Sequence, residues 1–426
     1  MKVLLIGSGG REHALAWKIS QSPMLTKLYA APGNAGIEKL AACQNIQAED
    51  LKGLCRFAKE GKIDLTVVGP ESPLVAGITD LFRSEGLKIF GPTQAAAKLE
   101  GSKVFAKQQM TKFKVPTADY EIYDHINEAK HYAIEAEMPV VIKADGLAGG
   151  KGVVICQTSQ EAVNAITQIM AEGVHGSAGK QIVIERVLEG EELSILVFTD
   201  GQNILPLASA QDHKRAYDND RGPNTGGMGA YSPCPQIPHD KVRDAVDRAI
   251  RPIIEGMARD GTPYQGILYA GLMMTKEGPF VLEYNCRFGD PEAQAILPRL
   301  KSDILSIMAE IASGELQTKE LQWDERFCVS VVLASGGYPG FYHKGFPITG
   351  IQGTEKREDV LVFHAGTALG ADGRLVTNGG RVLAVSALGE NLRAAQESAY
   401  KEIRQIHFQD LFYRRDIGRR ALEVYR

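Results

Sequence analysis

A chain of 426 residues is too long for one compact core, so its length favours about two to four domains. Its 52 acidic and 48 basic residues are interspersed and give a net charge of −4, which argues against a nucleic-acid groove or a membrane patch and favours small-molecule partners. The six cysteines lie far apart, and the first apolar run is too short for a secretory leader, so we expect reduced thiols in a cytoplasmic protein.

The first hundred residues alternate short apolar runs with glycine or proline turns, which predicts a parallel α/β sheet. The predicted strands at 3–6, 28–30, 65–68 and 87–90 would all end at one edge, where open α/β sheets bind ligands. The turn at Gly9 and Gly10 precedes a helix, a geometry that suits an anion. A nicotinamide cofactor is disfavoured because Glu12 stands where the dinucleotide fingerprint has its third glycine. A phosphate on a small substrate and a plain chain reversal both remain compatible with these turns.

Residues 140–155 are the most informative stretch, because two β-branched runs flank a glycine-rich loop. This pattern predicts a strand, a loop and a returning strand, with backbone N–H groups free to approach a phosphate. The loop glycines are Gly146, Gly149, Gly150 and Gly152, and the nearby lysines are Lys143 and Lys151. A P-loop is excluded because Asp145 replaces its first glycine and Gly152 replaces the Ser or Thr after its lysine. A flexible surface hairpin is the alternative.

The segment from about 116 to 190 is predicted to form a small flap domain that contains this hairpin, a helix at 159–170 and a strand at 181–185. The strand leads into an acidic hinge at 186–192. Backbone groups at such a hinge could recognise an adenine edge, and a carboxylate could hold ribose hydroxyls. By composition alone the hinge would be only a linker.

Two further segments contain candidate functional residues. Residues 211–229 are charged and rich in glycine, which is typical of a functional lid, although a solvated loop is the alternative. On the predicted strand at 280–287, alternation places Glu283, Asn285 and Arg287 on one face. A carboxylate and an amide oxygen suit Mg²⁺ or Mn²⁺, and the arginine could clamp a carboxylate or phosphate. A solvated face is the alternative, but the following turn adds Asp290 and Glu292.

From about residue 327 the chain changes to short strands at 329–333, 360–363 and 382–385 and a helix at 391–406, which predicts an α+β domain. No motif in this domain indicates a reaction or a ligand. Residues 377–381 could touch a ligand, but we favour a plain hairpin turn.

With these motifs placed, the chain resembles the phosphoribosylamine–glycine ligases, or glycinamide ribonucleotide synthetases, a family of the ATP-grasp superfamily. The resemblance covers essentially the whole length and is carried by GSGGREHALAW, APGNAG, VGPESPLVAGI, GPTQAAAKLEGSK, VIKADGLAGGKGV, AQDHKRAYDNDRGPNTGGMGAYSP, LEYNCRFGDPE, SGGYPG, FHAGT and TNGGRVL. The hairpin and the E-x-N strand mark the superfamily, and DHKR with GPNTGGMGAYSP marks the family.

The resemblance implies an α/β protein in three parts: an N-terminal parallel-sheet domain at 1–102, an ATP-grasp core at 103–327 with the flap at about 116–190, and a C-terminal α+β domain at 328–426. It implies an ATP-dependent ligation of glycine to 5-phosphoribosylamine through a glycyl phosphate, in purine biosynthesis, with Mg²⁺ or Mn²⁺ as cofactor. The expected partners are these three small molecules, with no nucleic acid and no membrane. A monomer is our expectation, although no residue pattern decides the oligomeric state.

The resemblance also assigns residues. ATP would contact Lys103, Lys143, Gly146, Gly149, Gly150, Lys151, Gly152, Glu185, Val187 and Glu192, and the metal would contact Glu283 and Asn285. The catalytic candidates are Asp212, Lys214 and Arg287. The substrate-binding candidates are Gly9, Gly10, Gly33, Asn34, Asp212, His213, Asn224, Thr225, Gly226, Gly227, Arg287, Asp290 and Glu292. Many superfamily members supply another metal carboxylate from the preceding strand, but here that strand reads AGLMM, which leaves the number of protein ligands open.

Glycine carries its own amine, which must stay protonated so that it does not compete as the nucleophile. We expect Asp212 to hold that ammonium, with Asp290 or Glu292 in reserve. Two alternatives remain: a carboxylase of the same superfamily that activates bicarbonate, and a nucleotide sensor without catalysis. The density of charged residues around DHKR and LEYNCR argues against a sensor.

Overall fold

The computed structural model describes residues 1–149, 152–174, 176–352, 357 and 359–424. Gly150 and Lys151 of the glycine loop lie outside the described residues. Among the helices that are described, none is long and apolar enough to cross a lipid bilayer. The six cysteines, all in the described part of the chain, are free thiols, and five of them are buried.

The N-terminal sheet is parallel, as predicted, with strand order β3-β2-β1-β4-β5. The strands are β1 (Lys2–Gly7), β2 (Lys27–Pro32), β3 (Ala42–Cys43), β4 (Leu65–Val68) and β5 (Ile89–Phe90). The helices are α1 (Gly10–Ile19), α2 (Leu51–Glu60), α3 (Glu71–Val75), α4 (Ile78–Ser84) and α5 (Gln94–Gly101). The sequence does not predict β3, because a strand of two residues is too short to show an alternating pattern of apolar and polar residues. Glu12 accepts a hydrogen bond from the Gly9 N–H at 2.6 Å, so the residue that breaks the dinucleotide fingerprint closes the first turn of α1.

The flap is a four-stranded sheet with strand order β6-β9-β7-β8 and its own apolar core. Its elements, together with the helix that precedes it, are α6 (Lys103–Lys112), β6 (Tyr120–Tyr123), α7 (Ile126–Glu135), β7 (Val140–Ala144), β8 (Val153–Cys156), α8 (Ser159–Ile166) and β9 (Ile182–Arg186). β7 and β8 form the predicted hairpin, in which Val140 faces Cys156 and Lys143 faces Val153. The helix predicted at 159–170 is an α-helix over Ser159–Ile166, and it continues as a π-helix over Thr167–Ala171. The apolar core of the flap is therefore separate from the larger apolar clusters of the described chain.

A second antiparallel sheet, with strand order β11-β10-β16-β17, lies below the flap and carries the E-x-N strand. This part of the chain comprises β10 (Glu191–Thr199), β11 (Ile204–Pro206), β12 (Gln211–Asp212), β13 (Arg215–Tyr217), β14 (Arg221–Asn224), β15 (Gly229–Ser232), α9 (His239–Ala245), α10 (Arg251–Arg259), β16 (Gly266–Thr275), β17 (Gly278–Asn285), α11 (Glu292–Ile296) and α12 (Ile304–Ala312). The segment at 211–229, predicted to be a lid of little regular structure, contains short strands instead.

The last hundred residues are α+β, as predicted. Their elements are β18 (Phe327–Ala334), β19 (Val360–His364), β20 (Thr367–Leu369), β21 (Leu375–Thr377), β22 (Arg381–Gly389), α13 (Leu392–Ile403) and α14 (Arg419–Val424). The main sheet has strand order β12-β15-β18-β22-β19, and Gly229 of β15 faces Val331 of β18. One sheet therefore contains strands from both sides of residue 327, and the domain boundary there stays a prediction.

Candidate active site

A cavity of about 540 Å³ lies between the flap hairpin and β17 and brings together most of the residues that the sequence singled out. The predicted residues that line it are Lys103, Lys143, Gly146, Gly149, Gly152, Glu185, Val187, Glu192, Asp212, His213, Lys214, Asn224, Thr225, Gly226, Glu283, Asn285, Arg287, Asp290 and Glu292. The predicted residues that are described but do not line it are Gly9, Gly10, Gly33, Asn34 and Gly227.

A bulge in β17 shapes the floor of this cavity. Gly271 of β16 faces Glu283, but the next pair is Leu272 with Val281, so Leu282 is an extra residue in β17. The Leu282 carbonyl accepts a hydrogen bond from Lys143 Nζ at 2.9 Å. Beyond the bulge, alternation turns Glu283 and Asn285 toward the cavity, as the E-x-N pattern predicts.

Lysines surround the Glu283 carboxylate. Lys214 Nζ lies 3.3 Å from Glu283 Oε1 and 3.7 Å from Glu192 Oε2. The Lys214 ammonium, opposed by burial and aided by Lys143 and Lys103, lowers the pKa of Glu283 to about 2. Glu283 is therefore ionised at neutral pH, as a metal ligand must be.

The flap loop is tied to the start of α6 through Asp145, the residue that excludes a P-loop. Asp145 Oδ1 accepts hydrogen bonds from Ser102 Oγ at 2.9 Å and from the Val104 N–H at 3.0 Å. Lys103 Nζ donates to the Gly146 carbonyl at 2.9 Å. Gly146 has φ +115°, and a Cβ there would lie 2.9 Å from the Ala178 Cβ, so only glycine fits.

Two lysines hold the Glu185 carboxylate, which is 4% exposed. Lys143 Nζ contacts Glu185 Oε1, and Lys107 Nζ contacts Glu185 Oε2. The predicted contacts of Lys143 with phosphates and of Glu185 with adenine stay predictions.

Two acids lie near each other at the other end of the cavity. Glu292 Oε1 accepts a hydrogen bond from Ser194 Oγ at 3.0 Å, and Ser194 Oγ lies 3.0 Å from the Tyr269 hydroxyl. Within the described structure, the buried Asp212 Oδ1 has no hydrogen-bond partner. Burial, and then the nearby Glu292 carboxylate, raises the pKa of Asp212 well above its ordinary value. An ammonium group placed here would relieve this repulsion.

His213 is neutral at physiological pH, because burial and the Arg414 guanidinium lower its pKa to about 4. Its Nε2 accepts a hydrogen bond from the Gly418 N–H at 3.3 Å, so the proton of the neutral ring lies on Nδ1. Nδ1 is buried and has no partner in the part of the chain that is described. Since His213 lines the cavity, it offers a donor to an anionic or carbonyl oxygen.

Arg287 is already engaged by groups of the protein. Its Nε lies 3.2 Å from Glu71 Oε2, its Nη2 lies 2.9 Å from Glu100 Oε1, and its Nη1 donates to the Phe288 carbonyl at 3.2 Å. Burial would raise the pKa of Glu71, but the Arg287 and Arg11 guanidiniums outweigh it and lower the pKa to about 2. A substrate anion would therefore have to compete with two carboxylates for Arg287.

The turn at Gly9 and Gly10 lies behind the cavity wall. A Cβ on Gly9 would lie 3.5 Å from Asp290 Oδ2, and a Cβ on Gly10 would lie 2.7 Å from Gln294 Nε2. Asp290 lines the cavity and accepts a hydrogen bond from Gln294 Nε2 at 2.7 Å. These glycines thus permit the close approach of two elements.

Gly33, Asn34 and Gly227 are explained by packing. Gly33 has φ +77°, and a Cβ there would lie 2.4 Å from the Cys43 sulfur. Asn34 Oδ1 accepts two backbone N–H hydrogen bonds at 2.9 Å, and its Nδ2 donates to the Ser8 carbonyl at 2.7 Å, so its side chain holds the turn. A Cβ on Gly227 would meet the Pro291 ring at 2.3 Å. Substrate contacts by these residues stay a prediction.

Several cavity residues escape sequence reasoning: Arg11, Glu71, Glu100, Lys107, Tyr269 and Arg381. Arg381 Nη1 donates to the Gly226 carbonyl at 2.7 Å and to the Asp290 carbonyl at 2.8 Å. The segment at 377–381 therefore contributes to the cavity wall and is not only the plain hairpin turn that the sequence favours. Only the helical spacing of Lys107 from Lys103 could have drawn attention to it.

Comparisons with known proteins agree with this geometry. The chain matches three family models: the phosphoribosylglycinamide synthetase N domain at residues 1–100, the ATP-grasp (A) domain at 101–293 and the C domain at 328–420. The fold and cavity are those of an ATP-grasp enzyme, an ATP-dependent ligase. Within that class, the chain belongs to the phosphoribosylglycinamide synthetase family.

The chain is also similar to individual members. It is 51% identical to a phosphoribosylamine–glycine ligase of Escherichia coli K12, covering 99% of both chains, and 52% identical to one of Vibrio cholerae with the same coverage. A crystal structure of the Thermotoga maritima ligase has a TM-score of 0.83 at 35% identity and covers 98% of this chain and 100% of that one. A biotin carboxylase of Campylobacter jejuni has a TM-score of 0.74 at 15% identity, covering 97% and 92%, which is a likeness of fold alone.

Proposed function

We propose that this enzyme joins glycine to 5-phosphoribosylamine with ATP, giving glycinamide ribonucleotide, ADP and phosphate, as a step of purine (IMP) biosynthesis in the cytoplasm. The observation that carries the proposal is the cavity in which Lys103, Lys143 and Lys214 lie close to an ionised glutamate that shares its strand with an amide. The ligase names of relatives that are about half identical over the whole chain support the same activity.

The nucleotide would lie under the flap hairpin. Lys103 and Lys143 would contact the phosphates, and the loop at 146–152 would close over them. Glu185, in β9, and Val187, in the hinge, would meet the adenine. Glu192 would meet the ribose. The apolar side chains of Val153 and Ile155, which line the cavity from β8, suit the face of a base.

The donor set fits a divalent metal. Glu283 and Asn285 offer one carboxylate and one amide oxygen, and the described residues contain no group of three or more His, Cys, Asp or Glu that could hold a metal by themselves. Phosphate oxygens would complete the coordination of Mg²⁺ or Mn²⁺. When bound, the metal would neutralise charge on the triphosphate and on the transferred phosphoryl group.

The chemistry needs positioning more than a nucleophilic side chain. A glycine carboxylate oxygen attacks the γ-phosphorus, the bond to the β-phosphate bridging oxygen breaks, and ADP leaves. The phosphoribosylamine nitrogen then attacks the acyl carbon, phosphate leaves, and the nitrogen loses a proton to form the amide. Alignment of two reactants can remove ~7 to 11 kcal/mol of a barrier, provided that the reacting atoms are held in the geometry of attack. The flap would keep water from the acyl phosphate.

Glycine would bind at the acid pair. Asp212 and Glu292 would hold its ammonium, which keeps that nitrogen protonated and unreactive. The Nδ1–H of His213 and the ammonium of Lys214 would face oxygens of the substrates. Asn224, Thr225 and Gly226, on the segment that Arg381 holds, would face the phosphoribosyl end.

A carboxylase that activates bicarbonate is the second candidate, and it shares the fold at 15% identity. The acid pair argues against it, because bicarbonate has no ammonium to satisfy Asp212 and Glu292. A nucleotide sensor is the third candidate, and carbon-labelled glycine recovered in an amide product would exclude it.

A coupled ADP-release assay with each substrate omitted in turn tests the proposal. We expect ADP release to require glycine, phosphoribosylamine and a divalent metal together, and bicarbonate not to replace glycine. Release that depends on bicarbonate, or that proceeds without glycine, would contradict the proposal.

A further inference from the structure

Three buried groups that line the cavity form a row of alternating charge: Lys107, Glu185 and Lys143. The proposed reaction gives Lys107 no role. Lys107 is 2% exposed, Glu185 is 4% exposed and Lys143 is 8% exposed. Each oxygen of the Glu185 carboxylate contacts one of the two ammonium groups. Two cations thus share one anion, with a net charge of +1.

The two lysines differ in their freedom to move. Lys107 Nζ also donates to Thr117 Oγ1 at 2.6 Å, and Thr117 Oγ1 donates to the Val281 carbonyl at 2.8 Å. The Lys107 ammonium lies 5.2 Å from the centre of the Tyr120 ring as well. Lys143 extends from β7, beside the flap loop, and its other partner is the bulged carbonyl of Leu282. Lys107 is therefore fixed, whereas Lys143 lies where a triphosphate would draw it away.

A buried carboxylate with a single cation holds that cation strongly, because leaving either charge unpaired is costly. If Lys143 were the only counter-ion of Glu185, a phosphate could bind Lys143 only by leaving the buried Glu185 carboxylate unpaired. A second, fixed ammonium removes that penalty.

We propose that Lys107 is a positioning residue that stays paired with Glu185 and so releases Lys143 to bind the ATP phosphates. This inference rests on the proposed function, since it requires ATP to bind in this cavity. Burial lowers the pKa of Lys107 to about 8 even though Glu185 raises it, which leaves the residue mostly charged at neutral pH.

The test compares Lys107→Met, Glu185→Gln and the double variant by steady-state kinetics at pH 7, with folding checked by thermal melting. Lys107→Met should raise the KM for ATP about tenfold or more, because Glu185 then retains Lys143, while the KM for glycine changes less than about threefold. In the Glu185→Gln background the same Lys107→Met change should alter the KM for ATP by less than about threefold, since no anion remains to hold Lys143. Lys112→Met, on the exposed side of α6, is the matched control.

An unchanged KM for ATP in Lys107→Met would overturn the inference. An equal penalty in both backgrounds would also overturn it, because that result indicates a purely structural role. If Lys107→Met does not fold, Lys107→Gln serves in its place, since it removes the charge and keeps a donor for Glu185. Wild-type protein that binds no ATP in calorimetry would instead refute the proposed function, so the two failures are distinguishable.

Discussion

The side chains of the site are oriented partly by local strand geometry and partly by contacts between distant segments of the chain. Glu283 and Asn285 face the cavity because a strand alternates, and a bulge one residue earlier does not change this. The Asn34 side chain satisfies backbone groups of its own turn, and a substrate contact by Asn34 stays a prediction. The pairing of Glu185 with Lys107 joins residues 78 positions apart, and no local pattern reveals such a contact.

Asp212 gives the sharpest prediction at this scale. Replacing Asp212 with Asn removes half of the acid pair, so the glycine ammonium loses a charged partner in a buried site. We expect the KM for glycine to rise about tenfold or more and the KM for ATP to change little. Steady-state kinetics with each substrate varied in turn measures both values.

Asp372→Asn, on an exposed turn of the C-terminal region, is the control and should match the wild type. Equal increases in both KM values for Asp212→Asn would reject an ammonium-binding role for Asp212.

The sequence predicts a helix or strand where its apolar residues recur at a regular spacing. It does not predict the contacts between those elements. The strands and the flap hairpin follow from β-branched runs between glycines. The link between α3, α5 and the turn that follows β17 is formed by Glu71, Glu100 and Arg287, and Arg287 lies two residues beyond β17, the strand on which the sequence predicts it. This link has no sequence signature, because its members lie up to 216 residues apart.

This link predicts a pH-dependent contribution to stability. The pKa of Glu71 falls from the ordinary 4.5 to about 2 in the fold, so its ionised form stabilises the folded state above pH 4.5 and that contribution disappears as the pH falls toward 2. Glu71→Gln should lower the free energy of unfolding by about 2 kcal/mol at pH 7, and the difference from wild type should shrink below pH 4.5.

Urea unfolding at pH 7, 4.5 and 3 measures the effect of Glu71→Gln, with Glu60→Gln at the exposed end of α2 as the control. A difference between wild type and Glu71→Gln that is constant across this range would show that ionisation of Glu71 does not contribute.

At the scale of the whole molecule, the sequence predicts the classes of the three parts but not how they share sheets. β15 and β18 are neighbours in one sheet although they are separated by the whole of β16 and β17. Arg381, from the C-terminal region, holds both the segment at 226 and the turn at Asp290. The N-terminal region, the flap, the sheet that contains β17 and the C-terminal region all contribute residues to the cavity wall, so sequence motifs alone could not identify all of them.

A crystal structure with a non-hydrolysable ATP analogue and Mg²⁺ tests the central claim most directly. We expect the triphosphate to lie between the flap loop and β17, with Lys143 moved from Glu185 to a phosphate and the metal bound by Glu283 and Asn285. Adenosine bound at another place, or a metal without Glu283 and Asn285 among its ligands, would contradict the account.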